Sequence, residues 1–349
     1  MQLITKQNII QWLSYDEEHC SDLFLKAQNS KKQFTKNKVF LRGLIEYSNV
    51  CSKNCLYCGL RSHNKILQRY TLSEEDVLSA AEFAYQSKFG SIVIQAGENQ
   101  STKYTNTITN LIDKIQNIYN GQLAITLSLG EQSKETLTQW RNAGAKRYLL
   151  RIETSNQDLF YSIHPNDNNH SFSNRIKILE VLKELDYQVG TGVMIGLPNQ
   201  TIDNLADDLL FMKNIDIDMI GMGPYIEHSD TPLYASKNTF SLKERYLLTL
   251  KMIASMRILM PDINIAATTA LQTIEPNSRE KAIAVGANII MPNITPLKYR
   301  EQYLLYENKV QQIVDDDYIE NIKKCVQSAD SEIGWNDFGN SLHYDKRVF

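Results

Sequence analysis

Apolar residues along the chain fall into eight short runs, each followed by a polar turn and a longer segment with helical spacing. Short apolar runs rich in β-branched residues predict strands, and helices between successive strands predict a parallel sheet. We predict strands at residues 40–47, 91–96, 123–129, 147–153, 188–197, 218–226, 264–269 and 287–292. We predict helices at residues 74–87, 105–118, 134–142, 174–185, 202–214, 242–259 and 278–285.

Eight strand–helix units in a chain of 349 residues favour an α/β fold of the (β/α)8 TIM-barrel type. Its chemistry would lie at the carboxyl ends of the strands. An open, doubly wound sheet is the alternative, because an apolar pattern cannot show closure. We expect a helical cap at residues 1–37, the barrel at 38–300 and a C-terminal extension that packs on the barrel at 301–349.

The charge balance narrows the classes of partner. Lys and Arg number 37 and Asp and Glu 40, a net charge of −3, which provides no basic footprint for nucleic acid and no polybasic membrane patch. No apolar run approaches the ~18 residues that span a bilayer, and the first residues lack the apolar core of a signal peptide. We therefore expect a cytoplasmic protein with a small-molecule or protein partner.

Three of the five cysteines, Cys51, Cys55 and Cys58, form a CX3CX2C motif directly after the first predicted strand. A structural zinc site usually takes four ligands as two separated pairs, whereas Cys20 and Cys325 are isolated. An iron–sulfur cube normally takes four thiolates, so three would leave one iron open to another ligand. A non-catalytic iron–sulfur or metal-binding module is the alternative.

Polar side chains follow several other predicted strands. Arg151 and Glu153 share one face of the fourth strand and match the carboxylate and ammonium groups of an amino acid, or they pair with each other. Arg175 opens the next helix, which indicates an anionic partner unless it is a solvated surface residue. The candidates at the remaining strand ends are Gln95, Ser128, Met194, Met222, Thr268, Thr269, Met291 and Tyr303, and the methionines equally fit core packing.

The CX3CX2C motif, with Tyr57 before its third cysteine, resembles the radical S-adenosylmethionine (SAM) superfamily. The resemblance implies that the three cysteines hold a [4Fe–4S] cluster and that SAM chelates the fourth iron through its amino and carboxylate groups. It also implies that one electron cleaves SAM to methionine and a 5′-deoxyadenosyl radical. The TIM-type barrel is the fold of this superfamily.

Longer stretches resemble the HydE family of [FeFe]-hydrogenase maturases, at residues 42–61, 148–156, 196–210, 221–233, 267–270 and 291–293. This implies radical attack on the sulfur of a cysteine-bound iron carbonyl cyanide precursor, a reductant such as ferredoxin or flavodoxin, and other hydrogenase maturases as partners. The implied SAM contacts are Tyr57, Ser128, Glu153, Arg175 and Met194. The implied substrate contacts are Gln95, Arg151, Met222, Thr268, Thr269, Met291 and Tyr303.

The sequence departs from that family at a few positions. Ile152 stands where a relative can have His, and Ala96 where a relative can have Ser, so the substrate contacts there are open. Only Cys325 lies in the C-terminal region, which does not support a second cluster. Methylornithine synthase, a lysine mutase of similar length and cysteine spacing, is the close alternative. Biotin synthase fits less well because it needs a sulfur-donating cluster inside the barrel, and predicted strands two to eight contain no cysteine.

Overall fold

The computed structural model describes residues 4–310 and 317–348. Its strands are β1 (Lys38–Ser48), β2 (Ser91–Ala96), β3 (Ala124–Ser128), β4 (Ala145–Leu149), β5 (Gln188–Thr191), β6 (Met194–Ile195), β7 (Met219–Ile220), β8 (Gly223–Pro224), β9 (Asn264–Ile265), β10 (Ile289–Ile290) and β11 (Glu332–Ile333). Its α-helices are α1 (Lys6–Ser14), α2 (Ser21–Thr35), α3 (Glu74–Gln86), α4 (Thr102–Ile118), α5 (Lys134–Ala143), α6 (Gln157–Ile163), α7 (Phe172–Glu184), α8 (Ile202–Asn214), α9 (Leu242–Leu259), α10 (Ser278–Ala284), α11 (Leu297–Arg300), α12 (Tyr318–Ser328) and α13 (Leu342–Val348). Short 3-10 helices occupy Pro232–Ala235 and Thr269–Thr273.

The main sheet is a closed parallel barrel. Its strands are hydrogen-bonded in the order β10-β1-β2-β3-β4-β5-β7-β9. The two ends of this order are joined because the Asn288 N–H donates to the Ile265 carbonyl and the Ala267 N–H to the Ile289 carbonyl, each at 2.9 Å. The predicted TIM-type barrel is confirmed, and the open doubly wound sheet is wrong.

Several predicted strands have different bounds in the structure. β4 ends at Leu149, so Arg151 and Glu153 lie in the loop beyond it rather than on the strand. The runs at 188–197 and 218–226 each divide into two short strands, and β6 pairs with β8 as a separate ladder. Glycines stand between the halves, at Gly192 and Gly221, and glycine weakens strand continuity because it has no side chain to pack.

Helices surround the barrel and bury the apolar faces of the strands. Several begin with capping boxes, including α3 after Ser73 and α8 after Thr201. The two N-terminal helices pack on α8 and α9. There Lys251 donates from its ammonium group to the carbonyl of Tyr15 at 2.8 Å. Among the described helices, none has the length and hydrophobicity needed to cross a bilayer.

The C-terminal segment covers the amino end of the barrel. β11 pairs with the start of β1, and Arg42 donates from Nη2 to the Gly339 carbonyl at 3.1 Å. Asn340 accepts at Oδ1 from Arg147 at 2.8 Å and from Gln188 at 2.9 Å. With the amino end covered, the loops after the strands form the opposite, open end. The division of the chain at residues 37 and 300 stays a prediction.

Candidate active site

The loop between β1 and α3 carries Cys51, Cys55 and Cys58, all with free and partly buried side chains. Burial raises the pKa of Cys55 to about 12 and raises the pKa of the other two thiols, and Cys58 is further raised by its two neighbours. Thiolates at this position therefore need a nearby positive charge, which bound iron would supply.

The donor set fits an iron–sulfur cluster held by this loop. In residues 4–310 and 317–348, no three His, Cys, Asp or Glu side chains are close enough to hold one metal ion. In a [4Fe–4S] cluster each cysteine binds a different iron, so thiols that do not converge on one point are suited to it. The three cysteines would hold three irons and leave the fourth for another ligand.

The turn after β2 holds the cysteine loop in place. The Glu98 N–H donates to the Cys51 sulfur at 3.3 Å, and the Ser52 N–H donates to the Glu98 carbonyl at 2.9 Å. A Cβ atom on Gly97 would lie 2.4 Å from the Val50 carbonyl oxygen and 2.7 Å from the Cys51 Cβ atom. Only glycine permits this close approach of the two backbones.

Four buried charged side chains form a cluster at the cysteine loop: Lys53, Glu98, Glu131 and Arg175. The Lys53 ammonium lies 3.2 Å from Glu98 and 3.3 Å from Glu131, and Arg175 Nη2 lies 2.8 Å from Glu131. Burial raises the pKa of Glu98. Burial opposes ionisation of Glu131 as well, but Arg175 and Lys53 hold its pKa below the ordinary value. The two positive and two negative charges balance, which makes their burial tolerable.

Arg151 and Glu153 pair with each other in the loop after β4. Arg151 Nε lies 3.1 Å from each Glu153 oxygen, and Arg151 Nη2 donates to the Val193 carbonyl at 2.9 Å. Glu153 has a φ of 67°, a left-handed conformation that is unusual for glutamate and often found at functional sites. Arg175 reaches the same loop, donating to the Arg151 carbonyl at 3.3 Å. The loop therefore presents one cation and one carboxylate side by side.

Tyr57 and Met194, two predicted SAM contacts, belong to one small apolar cluster beside the cysteine loop. The Tyr57 hydroxyl lies 3.4 Å from His164 Nε2, and His164 Nδ1 lies 2.9 Å from the Phe160 carbonyl oxygen. Burial, aided by Arg175, holds the pKa of His164 well below the ordinary value. The imidazole is therefore neutral, with Nδ1 donating to the carbonyl and Nε2 accepting from Tyr57.

The predicted substrate residues lie at several points of the barrel. Gln95 donates to the Tyr303 hydroxyl at 3.2 Å and is paired in register with Ser128. Thr268 donates to the Met222 carbonyl at 3.1 Å. Two candidates contact other parts of the interior: Thr269, whose hydroxyl lies 3.2 Å from that of Tyr306, and Met291, which lines a barrel cavity of about 30 Å³.

Sequence reasoning missed several polar groups at this end. Lys53, Glu131 and Glu98 were not singled out, although Gly-Glu follows both β2 and β3 and this repeat was the available signal. The buried ion pair between Lys309 and Glu46, with Lys309 also donating to the Tyr303 carbonyl at 2.9 Å, had no local signal because 262 residues separate its members.

A cavity of about 580 Å³ lies at the opposite end of the barrel. It is lined by residues of α2, β1, the C-terminal segment and the turn between α9 and β9, including Phe34, Phe40, Trp335 and Asp262. Size alone would favour it as the binding site. The thiols, the buried charges and the strained Glu153 are all at the other end, so we assign the chemistry there.

Comparison with known proteins shows the family of this chain. The family model of the radical SAM superfamily matches residues 45–212. The chain is 47% identical over 288 residues to the [FeFe] hydrogenase maturase subunit HydE of Thermotoga maritima, covering 82% of this chain and 79% of that protein. It is 28% identical over 275 residues to 3-methylornithine synthase of Methanosarcina acetivorans, covering 78% and 75%.

A solved structure shows the same fold. The crystal structure of methylornithine synthase (PylB) superposes with a TM-score of 0.81 at 22% identity, over 99% of this chain and 97% of that chain. The barrel and the matched region define a radical SAM enzyme, a class that uses SAM and typically a [4Fe–4S] cluster. The chain belongs to the radical SAM superfamily and, within it, to the HydE family.

Proposed function

We propose that this enzyme acts in the maturation of the [FeFe]-hydrogenase active site, as HydE does. Its substrate is a cysteine-bound iron carbonyl cyanide precursor, whose sulfur is attacked by the 5′-deoxyadenosyl radical. The similarity to HydE over most of the chain carries this proposal. Its other partners are a ferredoxin or flavodoxin and further hydrogenase maturases, in a reducing cytoplasm that keeps the three thiols free.

The residues of this chain have separate roles in the proposed reaction. Cys51, Cys55 and Cys58 would hold the [4Fe–4S] cluster, which would supply the electron for splitting SAM into methionine and the radical. Glu153 and Arg175 bind the charged amino and carboxylate groups of SAM, because both are buried and offer opposite charges at one loop. Tyr57, Ser128 and Met194 complete the SAM contacts.

The substrate is bound farther into the barrel. The hydroxyl of Tyr303 and the amide of Gln95 provide polar contacts, while Met222 and Met291 provide soft apolar ones. Thr268 and Thr269 add hydroxyl groups in the segment after β9. Arg151 supplies a cation with 29% of its side chain exposed, which would meet a substrate carboxylate.

Methylornithine synthase activity is the second candidate, and the partly exposed cation of Arg151 favours it. Its guanidinium group would also receive the carboxylate of lysine. The two candidates share the chemistry of SAM and differ only in the substrate. Supplying the purified enzyme with the iron precursor or with lysine separates them, and formation of methylornithine would overturn the HydE-like assignment.

The common chemistry is tested by anaerobic reconstitution with iron and sulfide, followed by dithionite and SAM. We expect 5′-deoxyadenosine, measured by chromatography, from the wild-type chain. Cys55→Ala should lose both the visible absorption of the cluster and the cleavage of SAM, since one iron loses its ligand. Cys325→Ala is the matched control and should retain both. Absence of 5′-deoxyadenosine from the wild type would contradict the proposal.

A further inference from the structure

Positive charge is concentrated around the cysteine motif. Residues 47–73 include Lys53, Arg61, Lys65 and Arg69 but no Asp or Glu, in a chain whose net charge is −3. Lys53 is buried and neutralised by Glu98 and Glu131. Within the described part of the chain, Arg61, Lys65 and Arg69 form no ion pair with a carboxylate. Their charges are therefore not neutralised by a carboxylate, and Lys65 is the exposed cation of the three, since Arg69 donates to backbone carbonyls.

These three cations lie on one surface loop, residues 61–69, which we call the 61–69 segment. It follows the third cysteine and is hydrogen-bonded to the cysteine loop. The Arg61 N–H donates to the Cys58 carbonyl at 3.1 Å, and the Ser62 N–H donates to the Lys53 carbonyl at 2.8 Å. Arg69 donates to the Leu60 carbonyl at 2.8 Å. The segment is thereby fixed on the outer side of the cysteine loop.

An apolar side chain stands at the centre of the 61–69 segment. Ile66 is 82% exposed, and among the described residues no other large apolar side chain is exposed to a similar extent. Its neighbours Lys65, His63 and Gln68 are also exposed. An exposed apolar residue within a polar and charged rim is the arrangement of a protein interface.

Two acidic groups on neighbouring segments, Asp76 and Asp167, have partners. Asp76 lies 3.4 Å from the ammonium of Lys298, and Asp167 lies 2.7 Å from Nδ1 of His170, whose other ring nitrogen accepts from the Asn54 N–H. The charge of Asp76 is balanced by Lys298, so Asp76 does little to reduce the positive potential of the 61–69 segment. A partner that complements this surface is acidic.

We propose that the 61–69 segment is the docking surface for a small acidic protein that carries one electron. This rests on the proposed function, in which SAM cleavage consumes one electron that must enter near the cysteines. The carrier is oxidised by one electron and the bound cluster is reduced by one, and no atom is transferred. Charge complementarity accelerates the encounter, while Ile66 provides the apolar anchor.

The test compares two reductants of the reconstituted full-length enzyme, photoreduced flavodoxin and dithionite. The EPR signal of the reduced cluster measures the rate of reduction. Lys65→Glu and Ile66→Asp should each slow reduction by flavodoxin about tenfold or more at low salt, because steering contributes at least that factor to association. Both variants should give the wild-type signal with dithionite, which needs no docking. Added salt should slow reduction of the wild type by flavodoxin more than it slows reduction of Lys65→Glu.

Matched controls lie at the other end of the barrel. Lys146→Glu reverses an exposed charge at the start of β4, and Ile118→Asp changes a residue that is 53% exposed at the end of α4. Both should behave as wild type with either reductant. Equal flavodoxin rates for Lys65→Glu, Ile66→Asp and these controls would overturn the docking proposal alone. Failure of dithionite to give a SAM-responsive signal from the wild type would instead overturn the proposed function.

Discussion

Asp208, in α8, is a buried carboxyl group that fixes the loop carrying Glu153. Its Oδ1 accepts from both the N–H and the hydroxyl of Ser155, each at 2.6 Å. Its Oδ2 is buried with no hydrogen-bond partner among the described residues. Burial raises the pKa of Asp208 to about 7. The folded protein therefore holds a proton here at pH values where an unfolded aspartate has lost it.

This proton predicts a pH-dependent stability. The folded-state pKa is raised from 3.8 to about 7, so the contribution of Asp208 to stability is lost as pH rises through that window. Between pH 5 and 7 the free energy of unfolding should fall by about 2–3 kcal/mol because of this group, since each pH unit costs up to about 1.4 kcal/mol. Asp208→Asn should lack that slope in urea titrations. Asp203→Asn, on the same helix but exposed, should keep it, and an unchanged slope in Asp208→Asn would contradict the assignment.

At the scale of residues, the sequence places charges near each other but does not show their partners. The spacing of Arg151 and Glu153 brought one cation and one anion to the end of the fourth strand run, because residues two apart share a face. The same spacing left open whether they pair, and the structure shows that they do. Arg175, in α7, is bonded to Glu131, 44 residues away. The two residues meet because their segments pack together in the fold, and a local sequence pattern contains no sign of that packing.

At the scale of elements, the turn from β2 to α4 supports the cysteine loop, and this predicts the effect of Gly97→Ala. The added Cβ atom would meet backbone and the Cys51 Cβ atom, neither of which can move without shifting the loop. Overpacking of this kind costs about 1–3 kcal/mol, so the loop should rearrange and iron content should fall severalfold. Ala96→Ser, at the preceding and partly exposed position, is the control. Full iron content in Gly97→Ala would show that the loop tolerates the displacement.

The presence of most strands and helices was predictable from the sequence, whereas their first and last residues were not. Each of the eight apolar runs contains a barrel strand, because a strand buried in a parallel barrel must be apolar along its length. The runs at 188–197 and 218–226 stay apolar through Gly192 and Gly221, so their pattern does not reveal the break. β11 and α6 were missed, since two residues of strand or seven of helix give too little periodicity.

At the scale of the whole molecule, closure depends on contacts that no local pattern contains. The first and last barrel strands, β1 and β10, pair in parallel, with Leu41 opposite Ile290. The C-terminal segment then returns to cover the amino end of the same barrel, where it accepts hydrogen bonds from Nη2 of the buried Arg42 and Arg147. The electron and the substrate would enter at one end, while this segment stabilises the other. A substitution at the amino end of the barrel should therefore lower the free energy of unfolding without changing the cleavage of SAM.

Gly339→Ala tests that separation. Gly339 has a φ of 61°, its added Cβ atom would lie 2.7 Å from the Phe40 Cβ atom, and its carbonyl accepts from Arg42 and Asn264. Strain and overpacking together should lower the free energy of unfolding by about 2–4 kcal/mol. Gly121→Ala, with a φ of 71° but its nearest atom 3.8 Å away, should cost only about 1 kcal/mol.

The chemistry of the folded Gly339→Ala chain should be unaffected. SAM cleavage per bound cluster should equal that of the wild type at a temperature where both chains are folded, because the cysteine loop lies at the opposite end of the barrel. Urea unfolding and the yield of 5′-deoxyadenosine measure the two quantities on the same preparation. A fall in cleavage per cluster without a fall in stability would show that the amino end of the barrel acts on the site, and the two ends would have to be treated as coupled.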